Sequence, residues 1–225
     1  MRKLFIRTWI GPLPLWYDQW CKHVETLKPL GFDFLVENNY EAFRARCHDK
    51  LGIDINVTPG TRKAGDFDPA YGVLFEEELK SYDFWGHTGL DVCFGRLDRF
   101  VPDELLQTLD IFGNDPNAIC GPFSLYRNCD PVNNLFRERA DWKEILEANR
   151  MYGFDEIEFS EVVVKAAEEG RIRFKSGFWQ SHDTQPGHNP TPQMSILPDG
   201  TLWDRVKQQE TMMFHFHRYR QWPIS

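Results

Sequence analysis

Leu4-Phe5-Ile6-Arg7-Thr8-Trp9-Ile10, closed by Gly11-Pro12-Leu13-Pro14, is the stretch on which the fold turns. It is apolar enough for a buried strand, and the Gly/Pro run behind it stops that strand abruptly. Trp16, Trp20, Val24 and Leu27 then recur at helical spacing through 16–27, and Phe32 to Val36 returns to strand. A second helix is expected over Tyr40–Leu51, with Phe43, Cys47 and Leu51 on one face and Gly52 as its stop. Ile53, Ile55 and Val57 alternate as a short strand, a polar loop follows over Thr58–Asp68, and a third helix is expected from about Pro69 to Leu79. Alternating β and α units of this kind predict a mostly parallel central sheet with helices on both faces, an α/β fold in one domain over 1–225.

Beyond that opening, Tyr82-Asp83-Phe84-Trp85-Gly86-His87 reads as another apolar strand, running out through Thr88-Gly89-Leu90-Asp91 into a polar loop. In open α/β sheets the ligand crevice lies beyond the carboxyl ends of the strands. A carboxylate leaving a strand there is placed to hold a metal or a ribose. Asp91 has no acidic neighbour two residues upstream, where Gly89 stands, and by itself it also reads as a turn or cap residue. Further on, Ile119–Tyr126 is expected as a strand, Ser160–Glu169 as a helix closed by Gly170, and 196–203 as a hairpin around Asp199-Gly200. Gln180–Gln193 reads as a loop, and Met213–Tyr219 as an alternating strand.

With 225 residues, 41% hydrophobic and 15% aromatic, the chain has a sizeable core and no disorder signature. A net charge of −8 speaks against nucleic acid binding over the whole surface. Cys21, Cys47, Cys93, Cys120 and Cys129 form no C-x-x-C pair and read as free thiols of a reducing compartment. The first apolar run is too short for a secretory leader, and no segment approaches a membrane span, so a cytoplasmic protein is expected.

Several residue sets could carry chemistry. His215 and His217 share one strand face and could meet a metal or a diphosphate, or be half-buried edge residues; Arg218 and Arg220 beside them could neutralise phosphate. Lys63 and Asp66 precede a helix, where an anion site forms readily, although on spacing alone Asp66 is the simpler N-cap. Asp155 and Glu156 are adjacent acids ahead of a helix; one could serve as a general base, or both could be a solvated helix entry. His182, Asp183 and His188 lack metal-ligand spacing. No Walker loop, G-x-S-x-G elbow or H-E-x-x-H is present, which disfavours P-loop NTPases, α/β-hydrolases and zincins.

Taken together, Phe84-Trp85-Gly86-His87, Leu90-Asp91-Val92 and Phe94-Gly95 resemble the signature of small GT-A-type glycosyltransferases of bacterial and viral sugar-assembly loci, approximately F-W-G-H-x-D-L-D-V-x-x-G. Lys63 to Gly72, Leu125 to Asn128, Phe154 to Glu156 and Phe214 to Arg218 resemble further motifs of that family in the same order, as does Trp9 to Pro14. The resemblance implies a GT-A-like fold and transfer of a sugar from a nucleotide-diphosphate donor to a hydroxyl, with a glycan as the expected acceptor. It implies that Asp91 and His215 bind a metal, Mn²⁺ or Mg²⁺, and that Lys63, Asp66, Asp91 and Arg218 bind the donor. Asp155 or Glu156 would then be catalytic, facing the acceptor. Two positions depart from the pattern. Gly89 replaces the first acid of Asp-x-Asp, and Asp68 stands where a basic or neutral residue is usual. Two other readings therefore stay open: a viral enzyme that glycosylates hydroxymethylated DNA bases through Arg171, Arg173, Lys175 and 218–220, a nucleic-acid partner the net charge does not favour, and a non-catalytic nucleotide-sugar or glycan binder.

Overall fold

The structure, a computed structural model, describes residues 1–115, 119, 121–177, 180–182 (backbone course only) and 194–216. Its centre is a six-stranded sheet in the order β2 (Phe32–Glu37), β1 (Lys3–Thr8), β3 (Phe84–Thr88), β6 (Phe123–Arg127), β5 (Ile111–Gly113) and β7 (Phe174–Ser176). Here β4 is Val92–Phe94 and β8 to β12 are Gln180–His182, Met194–Ile196, Leu202–Asp204, Gln209–Thr211 and Met213–His215. The β2–β1, β1–β3 and β5–β7 pairs are parallel, while β6 runs antiparallel to both its neighbours. Strands β9, β10 and β11 form a small antiparallel sheet, and β12 lies between β4 and β8.

Side-chain alternation makes this a three-layer molecule. Leu4, Ile6, Trp85 and Tyr126 enter one core with Phe43, Cys47, Ile145, Phe159 and Val163 from the helices on that face. Phe5, Phe84 and Leu125, one residue out of phase, enter the other core with Trp20, Val24, Leu97 and Leu106. A strand exposes opposite faces at period two, so a sheet with both faces covered is apolar throughout. Each fully buried Phe or Leu contributes about 1.5–3 kcal/mol.

The Tyr40–Leu51 helix starts where Asn39 accepts a hydrogen bond from Ala42 N at 3.1 Å and stops at Gly52 in the left-handed region, φ 64°. The hairpin turns at Asp199-Gly200 between β9 and β10, and the late helix runs Glu158–Glu168. Other elements differ from the sequence reading. Ile53–Val57 alternates buried and exposed as expected but joins no sheet. Instead the Tyr40 hydroxyl donates to Ile55 O at 3.2 Å and accepts from Val57 N at 3.1 Å. The expected loop at 58–68 is largely a 3₁₀ helix, Arg62–Ala70, whose residues 63–70 are all buried. The expected 69–79 helix splits into Tyr71–Leu74 and Glu76–Leu79. The strand expected from Ile119 begins at Phe123, and 180–182 is strand rather than loop.

Several letters of the sequence motifs turn out to be packing. A Cβ on Gly72 would lie 2.5 Å from Asn133 Oδ1 and 2.8 Å from Trp85 Nε1, which themselves hydrogen-bond at 2.7 Å. Trp85 stacks on Tyr126 at 4.2 Å, and Asn128 holds the carbonyls of Leu79 and Tyr82. On the opposite core, buried His23 accepts Phe94 N through Nε2 at 2.8 Å. Burial pushes its pKa down to about 4. Because the folded value lies below the unfolded one, His23 contributes stability fully above about pH 6.5 and loses it as pH falls towards 4. The unfolding free energy of the wild type minus that of His23→Gln is therefore expected to drop by about 2 kcal/mol between pH 7 and pH 5 in urea titrations. A pH-independent difference would refute a neutral buried imidazole.

Among the described residues no helix is long and apolar enough to cross a membrane. Cys21, Cys47, Cys93 and Cys129 are free thiols; Cys120 lies outside the described residues.

Candidate functional site

The chain runs from β1 to β2 on one side and later returns to place β3 on the other, pairing Ile6 with His87. Such a switch between neighbouring parallel strands opens a crevice beyond their carboxyl ends. Arg7 and Thr8 end β1 there, His87 and Thr88 end β3, and Asp91 follows three residues later. The 3₁₀ helix brings Asp68 under the same edge, and the loop before the Glu158–Glu168 helix brings Asp155.

Asp68 is fully buried, with Oδ2 at 3.4 Å from Arg7 Nη1 and 3.3 Å from His87 Nδ1. Its carboxyl is raised well above the usual range, first by burial, against the pull of Arg7, with Asp155 adding to the rise. Tyr71 also hydrogen-bonds Asp68 and accepts Thr8 N at 3.0 Å. His87 donates from Nδ1 to Gly121 O at 3.0 Å, leaving Nε2 to accept the Tyr126 hydroxyl at 3.1 Å. Burial, with Arg7's charge, pushes His87 down to about 3 although the Gly121 bond opposes it, so the ring is neutral.

Asp91 and His215 meet because β4 and β12 pair antiparallel, Val92 opposite His215. His215 Nε2 lies 3.3 Å from Asp91 Oδ2, and Phe216 N donates to Asp91 O at 2.9 Å. Burial acts to raise the Asp91 carboxyl, but the His215 contact and Arg7 outweigh it and hold it below the ordinary value. The site opens to solvent at this rim: the Asp91 side chain is 33% exposed and that of Arg7 16%. Gly89 lies beneath the carboxylate. A Cβ there would fall 2.3 Å from Asp91 Oδ1, so the Asp91 side chain occupies the space a residue 89 side chain would need. Among the described residues no third Asp, Glu, His or Cys joins Asp91 and His215 in a metal-sized group.

Asp155 is 7% exposed and Glu156 is exposed. Burial first, then Glu156 and Asp66, raise the Asp155 carboxyl to about 7, with Arg7 opposing. A carboxyl poised there at neutral pH suits general-base work. Lys63 and Asp66 are brought together too, but as a wholly buried pair at 2.9 Å. Asp66 accepts Tyr152 N at 3.0 Å, Gly153 N at 2.8 Å and Phe154 N at 3.0 Å, and Lys63 also donates to Ile145 O. This pair fixes the loop that carries Asp155. Arg218, His217, Arg220, Asp183 and His188 lie outside the described residues, as does the side chain of His182. The basic patch considered for DNA is charge-balanced in part. Arg171 pairs with Glu138 and Glu169, and Arg173 with Asp110.

Arg7, Thr8 and His87 were not singled out as site residues from sequence. The available signal was Arg7-Thr8, two polar residues interrupting an otherwise apolar strand next to its end. An open cleft of about 420 Å³, between His23, Phe94, Arg96 and the 196–200 turn, does not include any of the acids above.

No curated protein matches this sequence. The fold is similar to a solved structure described as the crystal structure of a glycosyltransferase involved in the glycosylation of the major capsid of PBCV-1, at 13% identity and a TM-score of 0.44, over 94% of this chain and 93% of that one. A family model matches residues 5–185, well over half of the 225-residue sequence, and the chain therefore belongs to the family of unknown function DUF6625.

Proposed function

We propose that this chain is a nucleotide-sugar-dependent glycosyltransferase whose acceptor is a hydroxyl group, in first place that of a glycan. The observation that carries the reading is the meeting, at the switch between β1 and β3, of two complementary parts. One is Asp91 with His215 at a solvent-open rim; the other is Asp155, a buried carboxyl held at about 7. The ordered motif resemblance supports it independently.

In this scheme the acceptor oxygen forms a bond to the anomeric carbon, the bond from that carbon to the diphosphate breaks, and the acceptor proton passes to the Asp155 carboxylate. Asp91 and His215 are the residues of this chain that would hold a divalent cation, Mn²⁺ or Mg²⁺, one through a carboxylate oxygen and the other through an imidazole nitrogen. Bound there, it would supply stabilisation of the charge that grows on the leaving diphosphate. Lys63 and Asp66 hold the base loop in position. Arg218 is proposed for the diphosphate on the motif resemblance alone.

The test is a thermal-shift screen against UDP-, GDP-, dTDP- and CMP-sugars, each with and without Mn²⁺. One nucleotide class is expected to raise the midpoint by about 5–10 °C near saturation, and Asp91→Asn is expected to remove the Mn²⁺-dependent part of that rise. A rise that ignores both Mn²⁺ and Asp91→Asn would favour a metal-free transferase or a binder. No rise with any donor would sink the proposal. The charge-balanced patch at 171–173 gives the DNA-base reading no support.

A further inference from the structure

Besides Asp155 Oδ1, three atoms at the crevice have no partner among the described residues: Arg7 Nε, Thr8 Oγ1 and Asp68 Oδ1, all buried. Other atoms of the same residues are engaged. Arg7 Nη1 and His87 Nδ1 face Asp68 Oδ2, and Thr8 N donates to Tyr71, which itself bonds Asp68. These links place the three orphans in one connected group next to the Arg7 and Asp91 side chains. Buried polar groups are almost always satisfied, and a built cluster of exceptions is the mark of a missing partner.

The chemistry of the set selects that partner. Arg7 Nε only donates, Asp68 is a carboxyl, and Thr8 Oγ1 donates and accepts. A hydroxyl group can donate and accept at once, so it satisfies all three whether or not Asp68 holds a proton. An anionic oxygen only accepts and would face the Asp68 oxygen directly. We infer that Arg7, Thr8 and Asp68 form the cradle for a hydroxyl, and not a carboxylate, of the transferred sugar. This rests on the donor reading above and adds to it three specificity-determining residues and the kind of group they hold.

Thr8→Val gives the sharpest test, because it removes an unpartnered hydroxyl without changing side-chain shape. Binding of UDP, GDP and dTDP would be measured by calorimetry beside UDP-glucose, UDP-glucuronate, GDP-mannose and dTDP-glucose. For the nucleotide that binds, the wild type is expected to hold the neutral hexose conjugate about tenfold or more tighter than the bare nucleotide. Thr8→Val should lose most of the margin, bind the bare nucleotide unchanged, and melt at or above the wild-type temperature, since the free protein sheds an orphan group. Asp68→Asn is expected to lose the margin as well, through its weaker hydrogen bond to the sugar, and to melt below the wild type because Arg7, His87 and Tyr71 all face that carboxyl. A hexose margin retained in Thr8→Val, a missing margin in the wild type, or tighter binding of the glucuronate would overturn the cradle while leaving the donor reading intact. No binding of any bare nucleotide or conjugate would overturn both.

Discussion

Asp66→Ala is expected to lower the unfolding free energy by about 3–5 kcal/mol, the cost typical of removing one partner from a buried ion pair. The Lys63 ammonium would be left in the core with the Ile145 carbonyl as its remaining hydrogen-bond acceptor. The N–H groups of Tyr152, Gly153 and Phe154 would lose their acceptor at the same stroke. Against a total stability of about 5–15 kcal/mol this is a large fraction, and it corresponds to a melting point lower by roughly 6–20 °C for a chain of this size. Lys63→Met should cost less, because Asp66 keeps its three backbone donors. Denaturant unfolding of both single variants and the double variant measures the coupling. A loss below about 1 kcal/mol for Asp66→Ala would show that the pair is not the clamp of the 152–154 loop.

The second large effect concerns Asp155. Asp155→Asn should reduce kcat of sugar transfer by about 10²–10⁴, the usual worth of a positioned base, while leaving donor binding unchanged. Its stability signature runs the other way. The folded carboxyl titrates near 7 and the unfolded one near 3.8, so the folded state binds the extra proton between those values. Stability from this group is present below about pH 4 and is lost as pH rises through 7, by about 4 kcal/mol in full. The asparagine variant escapes that loss and should match or exceed the wild type in stability at pH 8. In the wild type, kcat/KM should rise with pH through about 7 as the base loses its proton. A variant that is inactive and also less stable at pH 8 would point to a structural role. One that is fully active would remove Asp155 from the chemistry.

What could be read from sequence followed from how each residue's partners are arranged. β1, the helix from Asn39 to Gly52 and the Asp199-Gly200 turn are specified by near neighbours, and their signals are local. Ile53–Val57 has a strand's alternation, but the Tyr40 hydroxyl supplies hydrogen bonds that a neighbouring strand would have given, and alternation cannot tell the two apart. The 58–68 stretch reads as a loop because it is polar. Its charges are instead satisfied by each other and by distant backbone, Asp66 by residues 86–88 positions away. The one local hint was the opposite-charge spacing of Lys63 and Asp66, a single helical turn apart. Asp91, His215 and Asp155 stood out by motif resemblance. Arg7 and Thr8 did not, because their partners, Asp68 and Tyr71, come from more than 60 positions further along.

Gly89 carries an evolutionary consequence. In this chain the carboxylate of residue 91 stands in the volume that a side chain at 89 would fill. The two positions are thus one conformational choice expressed at two codons. An aspartate at 89 would not simply add a second acid to the site as found, because its side chain and the Asp91 carboxylate compete for one volume and the latter has to move. One codon change suffices for that, yet what either residue does for the site depends on which residue stands at the other.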